Sequence, residues 1–486
     1  MLFNSLEFLL FFPTVTILFF LLPHRYRWLH LLVASCAFYM AFIPAYILIL
    51  FFTIVIDYAA GIFIENARGR QRKFYLTISL VANIGVLAVF KYYNFFIGNV
   101  NDILHLTNPT TSLPLLNIIL PIGLSFHTFQ AMSYTIEVYR GNYPAERHFG
   151  IYALYVMFYP QLVAGPIERP QNVLPQFHKK HEFNYSRVAS GLRLMGWGLF
   201  KKVVIADRMA YLVNEVYNRP HNFHGLPLLV ATAFFSIQIY CDFSGYSDMA
   251  LGAARVMGFD LMKNFDRPYF SKSVSEFWRR WHISLSTWFK DYLYISLGGN
   301  RVALPRACVN LFIVFMASGL WHGAKWTFIV WGALHGLYLV VGMLTKNGRR
   351  GFINRLGLHF LNNSLLNVAL TYVLVTFAWI FFRANGLADA LYIITHLFTP
   401  SSSAYSGTTY TGLSTVNVFF TLSQWGALVG ALALLFAVEK AQVRLSIDSW
   451  VKRQATPVRW TLYYGLVLYV GLLGAFERVQ FIYFQF

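Results

Sequence analysis

The chain has 486 residues, 57% of them hydrophobic, 18% aromatic and only 12% charged, with a mean hydropathy of +0.51. A soluble protein carries about a quarter charged residues, so this composition excludes a soluble globular enzyme. The net charge of +19 does not make a nucleic-acid binder, because the basic residues lie in short clusters and no basic domain exists to carry that function.

Crossing roughly 30 Å of hydrocarbon takes about 20 residues of helix. Apolar segments of that order run through 7–23, 29–44, 45–64, 74–96, 115–137, 150–165, 188–205, 226–246, 309–345 (long enough for two short spans), 366–383, 423–440 and 459–476. These predict an all-α, polytopic integral membrane protein of roughly 11–13 transmembrane or re-entrant helices, with 1–486 as a single membrane domain. The first apolar stretch has no basic residue ahead of it and no small-residue cleavage site, so it reads as a retained span. "LVASC" at 32–36 mimics a lipoprotein cleavage site but follows another apolar span. Cys36, Cys241 and Cys308 form no CxxC or metal spacing, which argues against a disulfide scaffold and a zinc site. Asp242 and Asp248 in "YCDFSGYSDMA" lie six apart and do not share a helical face, so pairing with Arg or Lys on a neighbouring helix is expected rather than a carboxylate dyad.

The basic clusters (Arg68, Arg70, Arg72 and Lys73; Lys263, Arg267 and Lys272; Lys346, Arg349 and Arg350) read as cytoplasmic loops. The Ser/Thr-rich stretches 101–114 and 399–415, almost free of basic residues, suit the opposite face. The most polar long interval is 262–308, read as a cytoplasmic interfacial segment. Within it Ser273 and Glu276 fit a capping box. From there Phe277, Trp281, Leu285, Trp288 and Tyr292 form an apolar stripe, and Ser275, Arg279, His282, Ser286 and Lys290 a polar one. Such a helix would lie with Trp and Arg at headgroup level, and "LGGNR" (297–301) would end it.

Ionisable groups inside an apolar segment are costly and mark function. The segment 315–336, "FMASGLWHGAKWTFIVWGALHG", holds His322, Lys325 and His335. If one helix ran through both histidines, thirteen residues would separate them by roughly 20 Å, and they would not share a site. His322 has small neighbours that leave room for a substrate or a helix break, and its reading stays open between core and site. His335, among bulkier neighbours, reads as a hydrogen-bonded core histidine. Basic residues flank 309–345 on both sides, Arg301 and Arg306 before it and Lys346, Arg349 and Arg350 after it. With both ends cytoplasmic the segment must enter and return as a re-entrant or hairpin element, "WHGAK" at its turn. His282 reads as exposed from periodicity, although Trp278 and Trp281 flank it. His127 in "LSFHTF" reads as a core histidine.

"SEFWRRWHISLSTWFKDYLYISLGGNR" followed by "GLWHGAKWTFIVWGALHG" closely resembles the bacterial, alginate O-acetyltransferase-like branch of the membrane-bound O-acyltransferase (MBOAT) family. "VFKYYNFF", "LPIGLSFHTFQAMSYTIEVYRG", "FYPQLVAGPIERP", "YCDFSGYSDMALGAARVMGF", "NFDRPY" and the terminal "FIYFQF" keep the same order along nearly the whole chain. The resemblance implies helices around a tunnel that connects the two membrane faces, and a bacterial inner-membrane location. It also implies a cytoplasmic thioester donor, acetyl-CoA, with no bound cofactor, and a polysaccharide acceptor. The family's near-invariant histidine corresponds to His322 and its second functional histidine to His282. His127 departs from the family pattern. A relative in the same branch transfers D-alanine from a carrier protein, so the fold does not fix the acyl group.

Acyl transfer from a thioester to a hydroxyl needs a base near neutral pKa, which histidine supplies. His322 would take the hydroxyl proton and return it to the departing thiolate. His282 would polarise the thioester carbonyl or orient the donor. Arg279, Arg280, Lys290 and Arg301 could bind donor phosphates, or simply anchor the chain at the membrane surface. The resemblance also brings an extracytoplasmic partner, an acetyltransferase or SGNH-hydrolase-like protein that finishes the transfer. D-alanyl or other acyl transfer, a proton-carrying transporter and a silent docking scaffold are the competing readings.

Overall fold

The computed structural model describes residues 1–355, 363–405, 408–476 and 481–482. Seven helices among them are long and apolar enough to cross a membrane, and a shorter apolar helix, Leu6–Leu21, precedes them. The chain is a multi-pass, nearly all-α membrane protein. It divides into two compact units, 1–195 with 249–263, and 196–248 with 264–486.

In the first unit, helices Ile47–Asn66, Arg70–Leu87 and Leu124–Arg140 pack together. A buried polar knot ties two of them. Asp57 accepts from Ser79 Oγ at 2.6 Å and from Asn83 Nδ2 at 2.9 and 3.0 Å, which supplies the partners that a polar group in an apolar interior requires. Two predicted spans take other forms here. The segment 115–137 becomes helical only at Leu124, after Pro121 and a left-handed Gly123 (φ 76°). The extended backbone before it is satisfied by asparagines seven apart on helix Tyr93–Thr107. Asn94 pairs with both backbone groups of Leu116, at 2.8 Å each, and Asn101 with those of Leu113 at 2.7 and 3.0 Å. Irregular backbone within a membrane protein needs such partners. The segment 150–165 holds the nine-residue helix Phe149–Met157 and a short turn at Tyr159–Leu162. Pro160 prevents the first from continuing, and nine residues rise only about 14 Å.

The second unit contains buried ion pairs that match the expectation for Asp242 and Asp248. Lys202 lies 2.7 Å from both Asp207 and Asp242, while Lys201 lies 2.7 Å from Asp248. Both lysines sit on a π-helical turn, Phe200–Ala206, where the widened ladder turns consecutive side chains to separate partners. Asp242 also accepts from the backbone N–H of Ile482 at 2.8 Å. The remainder of the terminal "FIYFQF" motif, 483–486, lies outside the described residues.

The 309–345 region forms two antiparallel helices, Leu304–His322 and Trp326–Arg355, joined by Gly323–Lys325. Arg349 and Arg350, read as loop residues, belong to the second helix. The pair closes through small residues: a β-carbon on Gly319 would collide with the Phe328 carbonyl, and one on Gly332 with that of Phe315. Backbones this close are the usual outcome of glycines at a membrane helix contact. One departure from helix is a small antiparallel sheet, Phe223–His224, Ser402–Tyr405 and Thr408–Thr411. It takes up part of the Ser/Thr-rich stretch 399–415 read as a loop.

Candidate active site

The polar interval of the sequence does not form one interfacial helix. Ser273 accepts from Glu276 N at 3.1 Å and starts Val274–Arg280. Glu276 turns back to Lys272 N at 2.8 Å, so the box is displaced by one residue. The helix stops at Trp281 and resumes as Ile283–Trp288, with His282 between them in the left-handed region at φ 42°. A non-glycine residue there is uncommon and costs on the order of 1–3 kcal/mol.

Asn264, from "NFDRPY", holds that break. Its carbonyl oxygen accepts from Ile283 N at 2.9 Å. Its side-chain Oδ1 accepts from Ser284 N at 3.2 Å and from Ser284 Oγ at 3.0 Å, and stands 3.1 Å from His282 Nδ1. Because a backbone N–H can only donate, the Asn264 atom facing Ser284 N is the oxygen. That oxygen can only accept, so His282 Nδ1 carries the proton and the ring's lone pair lies on Nε2. Burial pushes the His282 pKa down to about 3, so the ring is neutral at physiological pH.

The apolar stripe from Phe277 to Tyr292 is buried within the protein, as its periodicity implies: Trp281 is 1% exposed. His282, expected on an exposed stripe, is fully buried. The left-handed residue swings its ring off the helical face and against Phe243, with ring centroids 4.6 Å apart.

His322 is the last residue of its helix, 5% exposed. Its imidazole meets Trp321 and Trp331 at 5.0 Å and Phe382 at 5.2 Å. Trp321 also stands 6.1 Å from His282, so one indole touches both predicted histidines. The single helix through His322 and His335 does not exist, because the chain reverses after His322. Trp331 lies 5.0 Å from each of those two rings, and their 13-residue separation collapses into one aromatic cluster. His335 Nδ1 accepts from Trp278 Nε1 at 3.2 Å, which places the proton on Nε2.

The four predicted donor-binding cations differ in their surroundings. Arg280 is half-buried and paired with Glu276 at 2.6 Å, while Arg279, Lys290 and Arg301 are exposed. In the first unit His127 is buried against Tyr39. Among the described residues no group of three or more His, Cys, Asp or Glu is placed to hold a metal ion. Sequence reading missed Asn264, whose one signal is its place in "NFDRPY". It also missed Arg383, a cation closing the apolar run "WIFF".

The protein named "Probable alginate O-acetylase AlgI" of Pseudomonas aeruginosa is 41% identical, over 80% of this chain and 73% of that one. The MBOAT, membrane-bound O-acyltransferase profile matches residues 146–381. The chain belongs to the membrane-bound O-acyltransferase family. Peptidoglycan O-acetyltransferase of Helicobacter pylori is 37% identical, over 75% of this chain and 72% of that protein. Teichoic acid D-alanyltransferase of Bacillus subtilis is 28% identical over 48% of this chain and 62% of its own. This MBOAT member is therefore an acyltransferase, and the matched stretch contains His282, Asn264, His322 and His335.

Proposed function

We propose that this protein transfers acetyl groups from a cytoplasmic thioester, acetyl-CoA, to hydroxyls of an exported or cell-wall polysaccharide across a bacterial inner membrane. The transfer is direct or passes through an extracytoplasmic acetyltransferase or SGNH-hydrolase-like partner. Relatives named for O-acetylation of alginate and of peptidoglycan cover most of the chain, which supports a polysaccharide acceptor. The observation that carries a catalytic site is the meeting of His282 and His322 on one indole, Trp321, inside the second unit.

His322 accepts the proton of the acceptor hydroxyl as its oxygen attacks the thioester carbonyl. The tetrahedral intermediate collapses with cleavage of the carbon–sulfur bond. The proton passes from the imidazolium to the thiolate, leaving an O-acyl ester and a free thiol. With its Nδ1 proton engaged by Asn264, a neutral His282 has no N–H to offer the thioester carbonyl. It acts as an acceptor through Nε2 and orients an N–H or O–H of the donor. A second reading, D-alanyl transfer, draws on the teichoic acid relatives, which match less than half of the chain.

The test is purified protein in detergent with radiolabelled acetyl-CoA and a polysaccharide or partner acceptor. His322→Ala should lower transfer by about 10²–10⁴-fold, the usual contribution of a positioned base, while its melting temperature is kept. Undiminished transfer would refute the assignment.

A further inference from the structure

Arg383 ends helix Ser364–Arg383 and is only 6% exposed. No carboxylate among the described residues pairs with it. Its Nη2 donates to two neutral oxygens, Asn214 Oδ1 at 2.8 Å and Asn218 Oδ1 at 3.3 Å, and its guanidinium lies 5.5 Å above the Tyr217 ring. These contacts orient the group without neutralising it. A buried charge without a counter-ion is costly by several kcal/mol. The other buried lysines among the described residues of this unit, Lys201 and Lys202, both have carboxylate partners. Lys325 lies at the same end of the bundle: Phe328, whose N–H donates to the Lys325 carbonyl at 3.2 Å, packs its ring 4.9 Å from that of Phe382, the neighbour of Arg383.

The pair sits beside the candidate base. Lys325 follows His322 by three residues, and Phe382, next to Arg383, packs on the His322 ring at 5.2 Å. Lys325 lies in the turn of the hairpin and Arg383 ends a separate helix whose Phe382 packs on Phe328 just after that turn; Arg306 and Lys346 lie toward the hairpin's opposite end, with Arg301 just before it. With the basic end cytoplasmic, Arg383 faces the acceptor's side, away from donor phosphates.

We propose that Arg383 and Lys325 form an anion-recognition site beside His322 that takes the carboxylate of an acidic sugar in the acceptor polymer. The proposal rests on the polysaccharide reading above. A planar guanidinium held by Asn214 and Asn218 keeps its remaining donor edge for a carboxylate, and Lys325 supplies a second, less directional charge. Binding there would hold a neighbouring sugar hydroxyl against the imidazole and favour charged over neutral acceptors.

The experiment measures binding of a uronic acid tetrasaccharide, its carboxyl-reduced counterpart and free coenzyme A to the full-length protein in nanodiscs of neutral lipid. The wild type should prefer the charged tetrasaccharide by about tenfold or more, the scale of one charge-assisted contact. Arg383→Lys and the exposed-site variant Lys325→Gln should each reduce that preference severalfold and leave coenzyme A binding unchanged. Lys325→Gln keeps the test open if Arg383 variants do not fold. Equal binding of the two sugars by the wild type, an unchanged preference in Lys325→Gln, or a loss of coenzyme A affinity instead would each overturn the site. Binding is read without turnover, so absence of acetyl transfer, which would sink the proposed function, is a separate result.

Discussion

At the scale of single residues, the site depends on one asparagine. Asn264 gathers two N–H or O–H donors from Ser284, a third from Ile283 and the His282 ring. It fixes both the left-handed backbone at His282 and the ring's tautomer. Asn264→Ala removes the side-chain acceptor, leaving buried donors that cost about 1–3 kcal/mol each. Transfer should fall by about 10–10² as the ring loses its orientation. Asn264→Asp keeps the acceptor but adds a charge that stabilises the His282 imidazolium, so its pH–rate profile should gain a titration that the wild type lacks. An Asn264→Ala variant that is folded and turns over at the wild-type rate would show that His282 needs no such hold. Small neighbours left His322 open between core and site, and its candidacy as the base came from the motif resemblance rather than from its local sequence. The exposure of His282 could not be read from the sequence, because a 3.6-residue period says nothing about a backbone that leaves the helix for one residue.

At the scale of elements, the hairpin 304–355 turns sequence distance into contact. Gly319 and Gly332 meet where each would otherwise drive a β-carbon into the other helix's carbonyl. Gly319→Leu should separate the helices, with overpacking worth about 1–3 kcal/mol, and displace Trp331 from His322. The melting temperature in detergent should drop clearly for Gly319→Leu. Gly342→Leu, on the same second helix but in open space, should leave it unchanged. Matching melting curves for the two variants would mean that the close approach does not hold the hairpin. The turn at "WHGAK" was legible from basic residues on both flanks. The aromatic bridge between His322 and His335 was not, because it exists only once the helix reverses.

At the scale of the whole molecule, the chain handles its buried charges in two ways. In the second unit Lys201 pairs with Asp248, and Lys202 is shared between Asp207 and Asp242. In the first, Glu168 of "GPIERP" is buried and accepts from Met262 N at 2.5 Å and Asn172 Nδ2 at 2.7 Å, and burial raises its pKa to about 7. A carboxyl whose pKa is raised on folding holds its proton in the native state after the unfolded chain has lost it. Its stabilising contribution is complete below about 4.5 and declines as pH rises through 7. Over that window the loss is about 3 kcal/mol. Glu168→Gln should therefore flatten the fall in melting temperature between pH 5 and 8. An unchanged slope would mean that Glu168 is ionised throughout.

The sequence alone determined the solvent and the helical class, and led to the expectation that Asp242 and Asp248 pair with Arg or Lys. Those properties follow from summed hydropathy, helical period and the cost of an unpaired charge in an apolar medium. Tertiary structure decided that His282 is buried on Asn264, that His322 and His335 share Trp331, and that Arg383 has no carboxylate partner among the described residues. Each of these depends on which side chains meet through space, and neither composition nor period carries that information.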